Sequence, residues 1–448
     1  VPFLLAGPGV PAGRVVSERV GSVDVTPTLL ALAGVPIPAG LLGRDLSPAW
    51  RGGRLPPQPL YAESLFGRLN CRWASLRVLF DGDWKLIEGR EPELFDLARD
   101  PAETQDRGAE EPRRLAQMRA ALRQAVDRMA PGGDRARSVA VSPEQLEKLR
   151  SLGYTGGGSA GAAPLDDRTL PDPRTHVRNY ERLQRAMLAR GPGADAALQE
   201  IEEITRADPG NPYAHFALGG LAYREGRLAL AASAYARGLE LDPDRPGMRL
   251  PYGNLLRDMR RFEDSERQLR IALEQTTPDD HRTRIGLAET LVARGQTAEA
   301  EKLLAGVLAR APDHVEALAA EGRLKVAQGR PAEAVPFLEK AAANQASPEP
   351  WVELARVHIA LGDGAAAARA AGRALALSPR HPWAMAIEGH ALLLAGRRAE
   401  ALAMLQRAIA AQPRRPDAWL GLASAFEAAG DKARAEVCRR RAEAISRS

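Results

Sequence analysis

Cysteine is scarce. Cys71 and Cys438 are the only two in 448 residues, and they fall in segments of different texture, so their spacing supports neither a disulfide framework nor a cysteine-built metal cluster. Aromatic residues make up 5% of the chain. The short basic runs Arg260-Arg261, Arg414-Arg415 and Arg439-Arg440-Arg441 lie on helical patterns and lack the interleaved aromatics of a nucleic-acid groove. Charge of one sign is missing too. The 62 Lys and Arg nearly balance 57 Asp and Glu, leaving a formal +5, so a pI of about 9.4 marks no polyanion as a partner. With a mean hydropathy of −0.30, no apolar run approaches the roughly 18 to 20 residues of a membrane span.

A repeat is what the sequence does have. From about residue 177 small residues recur with a period of about 34. One register is Gly219, Gly253, Ala288, Gly322, Ala355, Gly389 and Ala423; another is Ala231, Ser265, Ala300, Ala334, Ala367, Ala401 and Ala435. Antiparallel helices approach closely only where small side chains face each other, with large ones such as Leu218, Tyr235, Trp351, Leu354, Trp419 and Leu422 filling the space around them. Glycines at 226, 295, 329, 362, 396 and 430 are placed to turn between paired helices. Prolines at 209, 243, 312, 379 and 413 precede each new helical pattern.

The stretch WVELARVHIALGDGAAAARAAGRALALSP, residues 351–379, resembles the tetratricopeptide repeat at its W, L-G, G, A, A and P positions, with Ala355 in place of a glycine. The pattern recurs about seven times, and an eighth, degenerate unit is expected near Val177, with Ala197 and Pro209 as its landmarks. The resemblance implies an all-α TPR superhelix of about eight repeats over 177–448, whose first helices line a groove for a protein or peptide ligand. It places Tyr213, Phe216, Tyr223, Asn254, Arg257, Arg323, Arg356 and His390 on that face. Aromatics beside arginines would suit an acidic or C-terminal peptide; the competing reading is that the arginines solvate the face and the aromatics pack.

Residues 1–130 read as mixed α/β. Residues 1–5 are expected to form a buried strand ended by a Gly7-Pro8-Gly9 turn. In VTPTLLALAG, Thr26 is the expected N-cap, with Leu29, Leu30, Leu32 and Ala33 as the buried stripe and Gly34 as the stop. SLRVLFDGDWKLIEG reads as a hairpin turning at Asp81-Gly82, and PELFDLARDP as a further strand. Leu115, Met118, Leu122, Ala125, Val126 and Met129 mark one amphipathic helix from about Pro112. These pieces make a small antiparallel sheet covered by a helix.

VPFLLAGPGVPAGRVVSERVGSVDVTPTLLALAGVPIPAGLLGRDL resembles the end of the main domain of a sulfatase, and YAESLFGRLNCRWASLRVLFDGDWKLI with ELFDLARDPAE resembles that family's C-terminal subdomain. LEKLRSLGYTGG, residues 146–157, is similar to the short closing helix of bacterial members fused to repeats. The resemblance divides the chain into the C-terminal portion of a sulfatase-like domain at 1–130, a connecting helix and flexible linker at 131–176, and the repeats from 177. It implies a sulfuric ester hydrolase of the alkaline phosphatase superfamily, with a formylglycine nucleophile made from C-x-P-S-R and a divalent cation, usually calcium. None of that machinery matches a motif in this chain. Cys71 in CRWAS lacks the proline and the serine spacing and reads as structural; Asp81, Asp83, Asp166 and Asp167 read as turn and linker residues.

The expectation is therefore that the chain by itself is inactive, and that nucleophile and metal lie upstream of Val1. Glu63, Arg68, Trp73 and Arg77 could form a substrate rim, Trp73 and Arg77 equally being packing and surface residues. Two alternatives stay open: a TPR binding protein with a non-catalytic front piece, and a phosphatase or phosphoryl transferase of the same superfamily. Family resemblance would allow a periplasmic or extracytoplasmic location.

Overall fold

A computed structural model supplies the structure. It describes residues 3–129, 169–189, 193–245, 247–275, 280–344, 347–411 and 416–447, which fall in two units, Val1–Pro243 and Asp244–Ser448. The expected closing helix at 146–157 and most of the expected linker lie outside the described residues.

In the first unit, apolar alternation builds an antiparallel meander in the order β1 (Leu60–Ser64), β2 (Leu76–Asp81), β3 (Trp84–Glu88) and β4 (Glu93–Asp96). Tyr61 pairs with Leu79, Leu79 with Leu86 and Leu86 with Leu94, so one face carries a continuous apolar row, its three leucines fully buried. Met118 and Leu122 of the helix Pro112–Met129 close over that row. Asp81 pairs with Trp84, so the turn is Gly82-Asp83, one residue later than the sequence suggests. The two-residue turn needs a positive φ at its first position, and Gly82 has 58°.

Before the sheet come α1 (Val25–Leu32), α2 (Ser47–Trp50) and, between β1 and β2, α3 (Phe66–Cys71); the helix over the sheet is α4. Residues 3–6 form no strand, and Leu4 is 89% exposed: the ladder closes among residues 60–96 and gives this apolar run no pairing partner. The start of α1 also differs from expectation. Asp24, not Thr26, stands at its cap position. Buried Asp24 accepts hydrogen bonds from the backbone N–H of Gly21 (2.9 Å) and of Arg44 (2.7 Å), while the Thr28 hydroxyl accepts from the Leu46 N–H (3.0 Å). This polar network holds the Pro27 and Thr28 side of the helix inward, so Leu29 faces out, half exposed.

The unit continues with four helices, α5 (Pro173–Met187), α6 (Ala194–Ala207), α7 (Pro212–Arg224) and α8 (Leu228–Leu241), packed as two antiparallel hairpins. α5 begins at Pro173 because the Asp172 carboxylate accepts from the Arg174 N–H at 2.9 Å.

The second unit holds six more hairpins: α9 (Arg249–Asp258) with α10 (Phe262–Gln275), α11 (His281–Ala293) with α12 (Thr297–Arg310), and α13 (Val315–Ala327) with α14 (Pro331–Ala343). Then come α15 (Glu349–Ala360) with α16 (Gly364–Leu377), α17 (Pro382–Leu394) with α18 (Arg398–Ala411), and α19 (Pro416–Ala428) with α20 (Lys432–Arg447). The second small-residue register has no exposure at any of its seven positions. Glycines of the first sit against bulk: a Cβ on Gly253, Gly322 or Gly389 would lie 2.5–2.7 Å from the Cγ of Leu269, Leu338 or Leu405. Where the register carries Ala355, the equivalent partner has shrunk to Ala371. Ser265, the one polar member, donates to the Gly253 carbonyl at 2.7 Å and meets the Thr290 hydroxyl at 3.0 Å, so its hydroxyl is satisfied.

The inter-helix glycines all have φ between 72° and 80°; in one hairpin Arg260 takes that place at φ 60°. A side chain there costs about 1–2 kcal/mol, and the added unfolded-state freedom of glycine returns about 0.5–1 kcal/mol. Arg260→Gly is expected to stabilise the second unit by about 0.5–1 kcal/mol in urea unfolding; a lower midpoint would show that the exposed arginine contributes more than its backbone costs.

Candidate functional site

Of the four candidate rim residues, two meet. Glu63 and Arg77 are cross-strand partners on β1 and β2, and Tyr61, which sequence reading did not single out, donates its hydroxyl to Glu63 at 2.6 Å. Burial, then the hydrogen bond to the Glu63 carboxylate, pushes the Tyr61 phenol well above its usual range. Arg68 lies half-buried on α3.

Trp73 has a different place. It is 4% exposed, its ring stacks on His176 at 5.5 Å and 23°, and its indole N–H donates to the Asp208 carboxylate at 2.7 Å. Asp208, itself buried, takes a second hydrogen bond from the Asn211 side chain at 3.1 Å. Around this pair the Ala74 N–H donates to the Pro171 carbonyl at 2.8 Å, Arg174 donates to the Glu91 carbonyl at 2.7 Å and pairs with Glu93, and Phe66 meets Tyr180 edge-on at 5.1 Å. Trp73 thus packs the sulfatase-like end of the unit onto its first helical hairpins. Phe66, Trp73, Leu76, Val177 and Tyr180 also border an apolar cleft of about 270 Å³.

Cys71 is buried and unbridged. Among the described residues no three His, Cys, Asp or Glu side chains converge as a metal site. None of the described residues offers the donor set of the cation that the resemblance implies.

The proposed partner face divides between the units. In the first, the Tyr213 hydroxyl accepts from the Gln184 side chain at 2.6 Å and its ring lies 5.7 Å from Tyr180; Tyr223 is half-buried. Phe216 is 5% exposed and packs against Gly238, so it belongs to the interior and not to a ligand face. In the second unit each first helix touches the first helix of the next hairpin, from α9 to α11 and on to α19. A cavity of about 450 Å³ opens across α9, α11, α13 and α15, with Asn254 and Arg323 on its walls and Leu250, Ile285, Val315 and Pro350 among its apolar lining.

Glu289, on α11, is the residue that sequence reading missed here. It pairs with Arg257 at 2.6 Å and also with Arg323, so both guanidiniums share its one carboxylate. Arg356 is 58% exposed and 3.8 Å from Glu353. His390 lies against Gly421, where a Cβ would collide with its ring. Neither Arg356 nor His390 borders the cavity.

Comparison with known proteins adds two kinds of likeness. A family model described as "Tetratricopeptide repeat" matches residues 272–324 and 325–388, and a second of the same description matches 193–246 and 388–444. Arylsulfatase K of Xenopus laevis is 33% identical over 139 residues, 28% of this chain and 26% of that protein. Arylsulfatase K of Homo sapiens is 35% identical over 119 residues, 23% of this chain and 21% of that protein. The chain spans about a quarter of the length of these curated relatives. A solved structure of PilW, described as a type IV pilus biogenesis factor, is 23% identical and covers 45% of this chain and 94% of its own, with a TM-score of 0.39. No helix among the described residues is long and apolar enough to cross a membrane.

Proposed function

We infer, from a chain that belongs to the tetratricopeptide repeat family over residues 193–246 and 272–444 and also carries a sulfatase-like segment, that it joins a protein-docking array to the closing part of a sulfuric ester hydrolase. One observation carries the hydrolase half. Of the twenty large hydrophobic side chains found exposed among the described residues, nine lie between Phe3 and Leu42, including Leu4, Val15 and Leu29. Apolar exposure so concentrated marks a docking surface, since singly scattered residues would need no explanation. On this reading the surface packs on the α/β body of a sulfatase-like domain, and that body supplies the nucleophile and the divalent cation. Glu63 and Arg77, with Tyr61 beside them, are then the polar edge that residues 1–130 contribute, and Trp73 is its mount on the helices.

The chain as given is expected to show no turnover of p-nitrophenyl sulfate or p-nitrophenyl phosphate. The chain extended by any coding sequence upstream of Val1 that completes such an α/β body is expected to hydrolyse the sulfate. Hydrolysis of the phosphate alone would transfer the protein to phosphoryl chemistry, and silence of both would leave a binding protein with a non-catalytic front. Activity of residues 1–448 without that extension would overturn the assignment of the nucleophile to a separate α/β body.

A further inference from the structure

We propose that the cavity across α9, α11, α13 and α15 receives a cationic peptide segment, a Lys or Arg side chain set beside an aliphatic one. This rests on the reading of the array as a protein-docking surface and names the chemistry of what docks there.

The cavity offers two things at once. Part of its lining is apolar, formed by Leu250, Ile285, Val315 and Pro350, and it stays open because position 286 is glycine: a Cβ there would stand 3.0 Å from Asn254 Oδ1 and 3.3 Å from Leu250 Cδ1. An aliphatic side chain entering this space loses its contact with water, and the burial is favourable at about 25 cal/mol per Å². Asn254 uses its Oδ1 to accept from Arg257 at 3.3 Å, which leaves its amide N–H groups for a peptide carbonyl.

The charge on the walls decides which peptide fits. Four carboxylates, of Glu289, Glu316, Glu349 and Glu353, face two guanidiniums, of Arg282 and Arg323. Arg323 is held by Glu289, which also binds Arg257, a residue outside the lining. An acidic ligand at Arg323 would have to break these pairs, which leaves Arg282 as the wall guanidinium open to it, against the three carboxylates of Glu316, Glu349 and Glu353. Glu316 is 69% exposed, with only the His314 ring at 3.2 Å, and Glu353 has only the long contact to Arg356. Negative charge is therefore the free charge on the α13 and α15 side. The chain as a whole carries +5, so non-specific attraction favours anions; a preference for cations can come only from a local site of opposite sign.

The test uses the full chain and three fluorescein-labelled Gly/Ser peptides with central Lys-Leu-Arg-Leu, Glu-Leu-Glu-Leu or Ser-Leu-Ser-Leu segments, followed by anisotropy at about 0.1 M salt, where the screening length is about 10 Å. The cationic peptide is expected to bind about tenfold more tightly than the anionic one. The order is expected to reverse in the double variant Glu316→Lys/Glu353→Lys and to persist in Glu339→Lys, an exposed change on α14 away from the cavity. Tighter binding of the anionic peptide by the unmodified chain would overturn the cationic chemistry while leaving the docking reading intact. Binding of no peptide, or binding indifferent to filling the cavity with Ala319→Trp, would overturn both.

Discussion

Replacing Trp73 with alanine is expected to destabilise the first unit by about 3–5 kcal/mol, the usual cost of truncating a buried tryptophan. The indole is buried at 4% exposure and fills the space between α3, the start of α5 and the turn before α7. Its removal opens a cavity there and takes from the buried Asp208 carboxylate one of its two side-chain donors, the other being Asn211. Trp73→Phe separates the two losses. It keeps most of the ring that stacks on His176 but not the N–H, and is expected to cost about 1–3 kcal/mol, the desolvation penalty of a buried acceptor left short of a partner. Hydrogen exchange provides the local readout. Trp73→Ala should speed exchange in both the β1–β4 sheet and the Pro173–Met187 helix, because the contact joins them. Faster exchange in the sheet alone, or a loss under about 1 kcal/mol, would mean that Arg174 and the Ala74 backbone hold this junction without the indole.

The repeat half was legible because its contacts are local and periodic. Each helix packs on its neighbours in sequence, so a side chain's role is fixed by its place in the period of about 34 residues. Ala231 and its six equivalents are fully buried for that reason. The helix over the sheet was legible from its spacing alone, as Met118 and Leu122 show. Periodicity gives the face on which Arg257 and Arg323 lie but not the carboxylate between them. The signal was nonetheless present: Glu289 and Arg323 are separated by one repeat, so they stand at the same place in adjacent hairpins, and opposite charges there are natural partners.

In the front part the contacts that decide structure run between distant residues. Trp73 and Asp208 are 135 positions apart, and no local pattern marks Asp208 as an acceptor for an indole. The leucines of α1 carry a helical stripe, yet Leu29 faces outward and Leu30 and Leu32 are only half-buried, because Asp24, Thr28 and Arg44 fix the opposite side through backbone hydrogen bonds. Residues 3–6 have strand composition without a strand neighbour. Amphipathic pattern reports which side chains seek burial; it does not report whether the covering surface belongs to the same polypeptide.

The buried charges of the second unit make the opposite demand, for a partner on a specific atom. Lys325 is 7% exposed and Glu321 6%, and the Lys325 ammonium lies 2.8 Å from Glu301 and 3.1 Å from Glu321. Lys325→Met is expected to destabilise the unit by about 3–5 kcal/mol, because it leaves Glu321 buried beside no counter-charge. The hydrogen bond to Glu301, chiefly, raises the Lys325 pKa above its ordinary 10.5, and the same bond holds Glu301 below its ordinary 4.5. The ammonium's contribution is thus fully present below about pH 10.5 and lost as pH rises through the higher folded value. The Glu301 contribution is present above about pH 4.5 and lost as pH falls through the lower folded value. The deficit of Lys325→Met should accordingly be largest between those limits and shrink outside them. The double variant Glu321→Leu/Lys325→Met removes both buried charges and leaves Glu301, 44% exposed, to water. It is expected to regain most of the loss, ending within about 1 kcal/mol of the unmodified chain. Urea unfolding of the three proteins at pH 7 decides the matter: a single variant costing under about 1 kcal/mol, or a double variant as unstable as the single, would show that water already reaches Glu321 and that its burial imposes no requirement for the ammonium.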